Sequence, residues 1–151
     1  MHSKLIALKI RRRVVAAAVF SGRTLEHIEA LQLCNEPEAV NDAVARFLAN
    51  LLERFHPDSA AIGISRGRIG QRVVTLTETA EAMLRADAIP FWRIEDRVVL
   101  ETYAVPGLNG RLYLRPIVRS FWPHLAEKQL TGYEAAALGL HVQVERLLSH
   151  Y

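Results

Sequence analysis

Residues 35–65, NEPEAVNDAVARFLANLLERFHPDSAAIGIS, constrain the fold most, because an amphipathic helix runs directly into a short apolar strand. Within residues 40–55, apolar side chains recur at the three-and-four spacing of one helical face. Asn35, followed three positions later by Glu38, matches the capping-box pattern of a helix start. A proline ends the helix, and residues 60–64 are too few for another helix and too uniformly apolar for a half-exposed strand. The stretch therefore predicts a buried, parallel strand in an α/β unit.

The rest of the chain supplies further elements on both sides of this unit. Before it, residues 5–10, 14–20 and 24–33 are β-prone and separated by short turns, which predicts three consecutive antiparallel strands. We expect the second strand to be covered on both faces and the third to lie at an edge. After the unit, the pattern predicts a helix at 75–86 capped by Thr75 or Thr77, strands at 88–94 and 97–105, a turn-rich segment at 106–116, and a last helix that begins at Thr131.

Length and composition favour one soluble globular domain over residues 1–151, since half of the residues are hydrophobic and 23% are charged. No apolar run approaches the roughly 18 residues of a membrane span. The short apolar segment at the start precedes its basic cluster, which is the wrong order for a secretory signal. We therefore expect a cytoplasmic protein without membrane contact. The single cysteine, Cys34, excludes an internal disulfide and a cysteine-built zinc site.

Arginine dominates the basic residues: 16 of the 19 are arginine, and the net charge is +3. The planar guanidinium suits phosphates and carboxylates. Two alternatives remain open, a compositional bias of the genome and ordinary solvated loops or strand faces. The candidate nucleic-acid-binding residues are Arg11, Arg12, Arg13, Arg66, Arg68, Arg72, Arg111, Arg115 and Arg119.

Three phrases carry a resemblance to a known family. RFHPDSAAIGIS is similar to a helix-to-strand passage, ADAIPFWRIE to a later helix-to-strand return, and GYEAAALGLHV to an alanine-rich final helix of the Holliday-junction-resolvase branch of the ribonuclease-H-like superfamily. The order of the elements resembles the same fold. The resemblance implies a single-domain, three-layer α/β/α fold with a mixed five-stranded sheet whose first three strands are antiparallel.

The resemblance also implies a sheet edge at which clustered carboxylates hold two magnesium ions for phosphodiester hydrolysis. Lys9 in the first strand and Ser65 at the end of the fourth take the places of two of those acids, and on the last helix Glu134 lies one or two positions out of register with the family's acids. Hard divalent cations require several anionic oxygens, so we expect no metal, no cofactor and no two-metal catalysis. Glu134 has a second interpretation, a capping box with Thr131.

Three functional hypotheses follow. The leading one is a non-catalytic ribonuclease-H-like protein that binds DNA or RNA through its arginines. The second is a structural or assembly protein that binds a protein partner or forms a homodimer through Phe121 and Trp122. The third is a residual nuclease with an altered site near Lys9, Ser65 and Glu134.

Overall fold

A mixed five-stranded sheet forms the centre of the molecule in the computed structural model, which describes residues 3–65, 70–102, 114–126 and 132–148. The strands are Lys4–Ile10 (β1), Val14–Ser21 (β2), Thr24–Gln32 (β3), Ser59–Ile64 (β4) and Phe91–Glu95 (β5). Their order is β3-β2-β1-β4-β5, with β1, β2 and β3 antiparallel and β4 and β5 parallel to β1. The predictions for the first four strands, including the parallel pairing of β4 and the edge position of β3, are confirmed.

Five helices cover the two faces of this sheet: Pro37–Phe55 (α1), Gln71–Ala86 (α2), Asp96–Thr102 (α3), Leu114–Phe121 (α4) and Tyr133–Leu148 (α5). Alternate residues of β1 divide between the faces. Ile6 and Leu8 pack with α1 and α2, whereas Leu5 and Ala7 pack with α3, α4 and α5. The α/β/α fold predicted from the sequence is therefore confirmed.

Helix α5 approaches the sheet closely because its contact face consists of small residues. Ala135, Ala136 and Ala137 are buried against β1 and β2. A Cβ atom placed on Gly139 would lie 2.0 Å from Cε2 of Phe20, so only glycine fits there. This close contact keeps the first turn of α5 beside the end of β1.

The predicted helix starts are wrong at α1 and α2. The N-cap of α1 is Glu36 without a side-chain cap bond, and not Asn35, because the helix begins at a proline, which has no N–H to satisfy. Helix α2 begins at Gln71 after an extended Gly70, one turn before the predicted threonine caps. That extra turn adds Val73 to the apolar face that packs on the sheet.

The strand predicted at 97–105 is also wrong where the structure describes these residues. Residues 96–102 are helical in α3, which buries Val99 in the core and places Asp96 in the first helical turn, where a carboxylate is favourable. Residues 114–121 form α4, with Pro116 in the first turn and Val118 fully buried. Most of the predicted turn-rich segment at 106–116 and the predicted cap at Thr131 lie outside the described residues. Residues 114–116 of that segment belong to α4.

Candidate site at the carboxyl edge of the sheet

Three polar residues lie where the parallel strands end. Lys9 is the penultimate residue of β1, Ser65 directly follows β4, and Asp96 directly follows β5. Because parallel strands end at the same edge of a sheet, the fold brings these residues together. Gly63 lies opposite Lys9 in the β1–β4 register, and a Cβ atom there would lie 3.0 Å from Cδ of Lys9. A glycine at this position therefore leaves room for the lysine side chain to cross β4 towards Asp96.

Lys9, Ser65 and Asp96 form a closed hydrogen-bonded group, which we call the lysine cluster. The Lys9 Nζ donates to Oδ1 and Oδ2 of Asp96 at 2.7 and 2.6 Å and to Oγ of Ser65 at 3.1 Å. The Ser65 hydroxyl donates to Oδ2 of Asp96 at 2.9 Å. The Lys9 side chain is only 3% exposed and that of Asp96 22%. A buried ammonium requires a partner of this kind, since its transfer from water is otherwise costly.

A second ion pair lies at the same edge. Nη1 of Arg11, the residue directly after β1, donates to Oε1 of Glu134 at 2.7 Å. Glu134 is in the first turn of α5, and the Tyr133 hydroxyl donates to the same oxygen at 3.3 Å. Asp96 and Glu134 are therefore each paired with a cation of the protein itself.

The donors described at this edge do not fit a two-metal centre. Within the described parts of the chain, no three His, Cys, Asp or Glu residues are grouped so that they could hold a metal ion. Both oxygens of Asp96 already accept hydrogen bonds from Lys9. A hard divalent cation needs several free anionic oxygens, whereas here one ammonium occupies the carboxylate. The ammonium has no lone pair to take the Ser65 proton, so the cluster is also not arranged to activate a serine nucleophile.

Of the three residues that the resemblance singles out, Lys9, Ser65 and Glu134, only the first two contact each other. Lys9 and Ser65 are in direct contact, while Glu134 contacts Arg11. Sequence reasoning missed Asp96, because residues 97–105 were interpreted as a strand and an acid between two strands suggests a turn. The available signal is that two acids, Glu95 and Asp96, directly follow the predicted strand at 88–94, and site residues usually lie at the carboxyl ends of parallel strands.

The candidate arginines occupy two described regions. Arg12 and Arg13 are exposed in the β1–β2 turn, which follows the end of β1 that carries Lys9. Arg72 is half-buried at the start of α2, and its guanidinium donates to the carbonyl oxygen of Cys34. Arg115 and Arg119 are exposed on α4. Arg66, Arg68 and Arg111 lie outside the described residues.

The residues proposed for self-association lie at the end of α4. Phe121 is 55% exposed, and its ring is 5.9 Å from that of Trp122. The Trp122 ring is in turn 5.9 Å from the buried ring of Phe20. Trp122 is thus anchored to the core, and Phe121 is presented to solvent.

The sheet order, the helices on both faces and the position of α5 define a ribonuclease-H-like fold of the Holliday-junction-resolvase type. The solved structures that share it include RuvC of Thermus thermophilus, with a TM-score of 0.77 and 13% identity over 95% of this chain and 96% of that one. The yeast mitochondrial Holliday junction resolvase Ydc2 has a TM-score of 0.67 and 13% identity over 99% of this chain and 82% of that one. The fowlpox virus resolvase, solved with Holliday junction DNA, has a TM-score of 0.63 and 13% identity over 95% and 99%.

No protein-family model and no curated protein matches the sequence. The likeness at 13% identity establishes the fold. Among the described helices, none is both long and apolar enough to cross a membrane.

Proposed function

We propose that this protein binds nucleic acid on the arginine-bearing edge of a resolvase-like fold and does not cleave it. The observation that carries the proposal is the lysine cluster, in which the Lys9 ammonium takes both oxygens of Asp96. In such a site the protein supplies the positive charge that two metal ions would bring. The fold is shared with resolvases, two of them solved with Holliday junction DNA.

The electrostatics of the edge support binding by phosphate contacts. Glu134 and Asp96 are each neutralised by a basic side chain, and the β1–β2 turn adds two exposed arginines, Arg12 and Arg13. The side chains of Lys9, Arg11, Arg12 and Arg13 exceed the charge of Asp96 and Glu134, and this local positive charge would favour a phosphate backbone. Contacts of this type position a strand without reading its sequence.

Binding is tested by titrating fluorescently labelled single-stranded, duplex and branched DNA with the protein at two salt concentrations. We expect the logarithm of the binding constant to fall with the logarithm of the salt concentration, with a slope of about −0.9 per phosphate contact on duplex DNA. Replacing both turn arginines, Arg12→Ala with Arg13→Ala, should reduce that slope by about two contacts. Absence of binding at about 50 mM salt would refute the proposal.

The matched control carries Arg23→Ala with Arg54→Ala. Arg23 is exposed in the β2–β3 turn, at the opposite edge of the sheet, and Arg54 is in the last turn of α1. This pair removes the same charge from a remote surface and should leave the slope close to that of the unmodified protein. An equal reduction of the salt slope in both double variants would show a general effect of charge and not a binding surface at the β1–β2 turn.

A second candidate function is assembly through α4, favoured by the exposed ring of Phe121. Sedimentation equilibrium tests it: a dimer that becomes monomeric on Phe121→Ser would support an assembly role. Trp92→Ser provides the control, because Trp92 is the other large apolar side chain exposed among the described residues. A monomeric unmodified protein would exclude self-association.

A further inference from the structure

A cavity of about 210 Å³ lies on the other face of the same sheet edge, between α2 and the ends of β1, β4 and β5. Its walls include the apolar side chains of Ile10, Ile64, Val73 and Val74. Pockets for drug-sized ligands usually occupy roughly 300–1,000 Å³. This cavity therefore suits a smaller ligand, such as one planar ring system between aliphatic walls.

The polar side chains of the cavity include a buried carboxylate, that of Glu81, which is paired with Arg93. Glu81 is 2% exposed, and Arg93 donates to it twice, from Nε to Oε2 at 2.6 Å and from Nη2 to Oε1 at 2.7 Å. This bidentate pair fixes the guanidinium plane at the mouth of the cavity, where the Arg93 side chain is 55% exposed. The Nη1 protons of Arg93 take no part in this pair, so they remain available to a ligand.

Glu78 adds a second carboxylate to the lining. The hydrogen bonds and the charge of Glu81 raise the pKa of Arg93, and the charge of Glu78, which lines the same cavity, also raises it. Two carboxylates and one guanidinium give the cavity a net negative charge. A phosphate or another anion is therefore disfavoured inside it, and a neutral ligand with N–H donors is favoured.

We propose that this cavity receives one unstacked guanine base. The Watson–Crick edge of guanine presents an acceptor, O6, beside two donors, N1–H and the N2 amino group. An N–H of Arg93 can donate to O6 while the Glu78 carboxylate accepts from N1–H and N2–H. The faces of the ring then lie against the aliphatic walls, and the phosphates remain outside.

The proposal rests in part on the proposed function, because a base can come from a bound strand or from a free nucleoside. Two separate measurements distinguish these sources. In the first, oligo-dT strands that carry a single central dG, dA, deoxyinosine or 7-deaza-dG compete for the protein. In the second, free guanosine and adenosine are titrated into the protein and followed by nuclear magnetic resonance.

We expect the strand with dG to bind at least about fivefold tighter than the strand with dA, the lower limit for a well-formed bidentate contact to a base. Deoxyinosine, which keeps O6 and N1–H but lacks the N2 amino group, should bind with an affinity between those of dG and dA. The 7-deaza base should keep it, because N7 is not contacted. Equal binding of all four strands together with no guanosine binding would overturn the proposal while leaving nucleic-acid binding intact.

Free guanosine covers the case in which no strand binds. If guanosine shifts the resonances of Val73, Val74 and Thr77 and adenosine does not, the cavity takes a free nucleoside and only the strand-binding function fails. If no strand binds and neither nucleoside binds, both proposals fail.

The variant Glu78→Gln isolates the carboxylate, since Glu78 is exposed and its loss leaves the buried pair of Glu81 and Arg93 in place. It should reduce the preference for dG over dA to less than about twofold, by loss of a charged acceptor. Glu53→Gln, an exposed acid on α1 outside this cavity, makes the same change of charge. It should raise affinity for all strands equally and keep their ratio. A ratio unchanged by Glu78→Gln would contradict the assignment of that carboxylate.

Discussion

Lys9 is a buried ammonium whose three N–H groups find acceptors on Ser65 and Asp96. A buried pair of this type adds little to stability compared with an apolar pair, but the loss of one partner leaves the other unsatisfied. The position therefore tolerates substitution poorly, whatever the function of the cluster.

Lys9→Met should lower the free energy of unfolding by about 1–3 kcal/mol, because Asp96 loses its cation in a site that is largely closed to water. Urea denaturation measures the change. Adding Asp96→Asn to this variant should cost less than Asp96→Asn costs alone, with a coupling energy of about 0.5–3 kcal/mol. Lys4→Met, which breaks the more exposed pair with Glu26, should cost less than about 1 kcal/mol. Additive effects of the Lys9 and Asp96 substitutions would show that the two side chains do not interact.

The combined change Lys9→Asp with Ser65→Glu should create a divalent cation site, because it surrounds Asp96 with two further carboxylates and removes the ammonium. We expect Mn²⁺ to raise the melting temperature of this variant by mass action on the folded state, and to leave that of the unmodified protein unchanged. Lys9→Asn with Ser65→Gln provides the control of similar size without the new charge. An equal Mn²⁺ response in the unmodified protein would mean that the native site already holds a cation.

At the scale of single residues, the family resemblance places Lys9 and Ser65 at positions of the family's acids but does not include Asp96, which completes the cluster. Asp96 was missed because the β-branched Val98 and Val99 favour a strand locally. Burial of Val99 in the core explains why the chain forms a helix there instead.

At the scale of elements, apolar periodicity identified the strands and long helices, while the helix ends depended on backbone geometry. Helix α2 shows this at its start, which follows an extended Gly70 one turn before the predicted caps, whereas its predicted end at Ala86 is confirmed. The turn after the helix places Ala88 at a φ of 56°. The Ile89 N–H donates to the carbonyl oxygen of Leu84 at 2.8 Å, which closes the last turn around the left-handed residue. Glycine is usual at such a position, so Ala88 carries a steric cost that glycine would avoid.

Ala88→Gly should stabilise the protein by up to about 1 kcal/mol, because glycine adopts the left-handed conformation without the steric cost of a Cβ atom. Thermal or urea unfolding measures the gain. The same substitution at Ala82, which is exposed within α2, should instead destabilise by about 0.5–1 kcal/mol. A loss of stability at both positions would contradict the strain assigned to Ala88.

At the scale of the whole molecule, the fold was predictable because the order of elements restricts the topology so strongly. Three antiparallel strands, followed by two helix-to-strand crossovers that cover one face, leave the remaining helices to cover the other. The ion pairs at the carboxyl edge were harder to predict from the sequence, because the pair of Arg11 and Glu134 joins residues far apart along the chain. The number of arginines in the sequence does not show that Arg11 forms an ion pair with Glu134 while Arg12 and Arg13 remain exposed.

The central claim is that a resolvase-like scaffold binds nucleic acid without cutting it. One experiment tests both binding and the absence of cleavage. Labelled four-way-junction DNA is incubated with the protein and Mn²⁺, and the same reaction is analysed for mobility shift and for strand products. We expect a salt-sensitive complex in which all strands remain intact. Cleavage that disappears in Asp96→Asn or Glu134→Gln would contradict it and identify a metal-dependent nuclease.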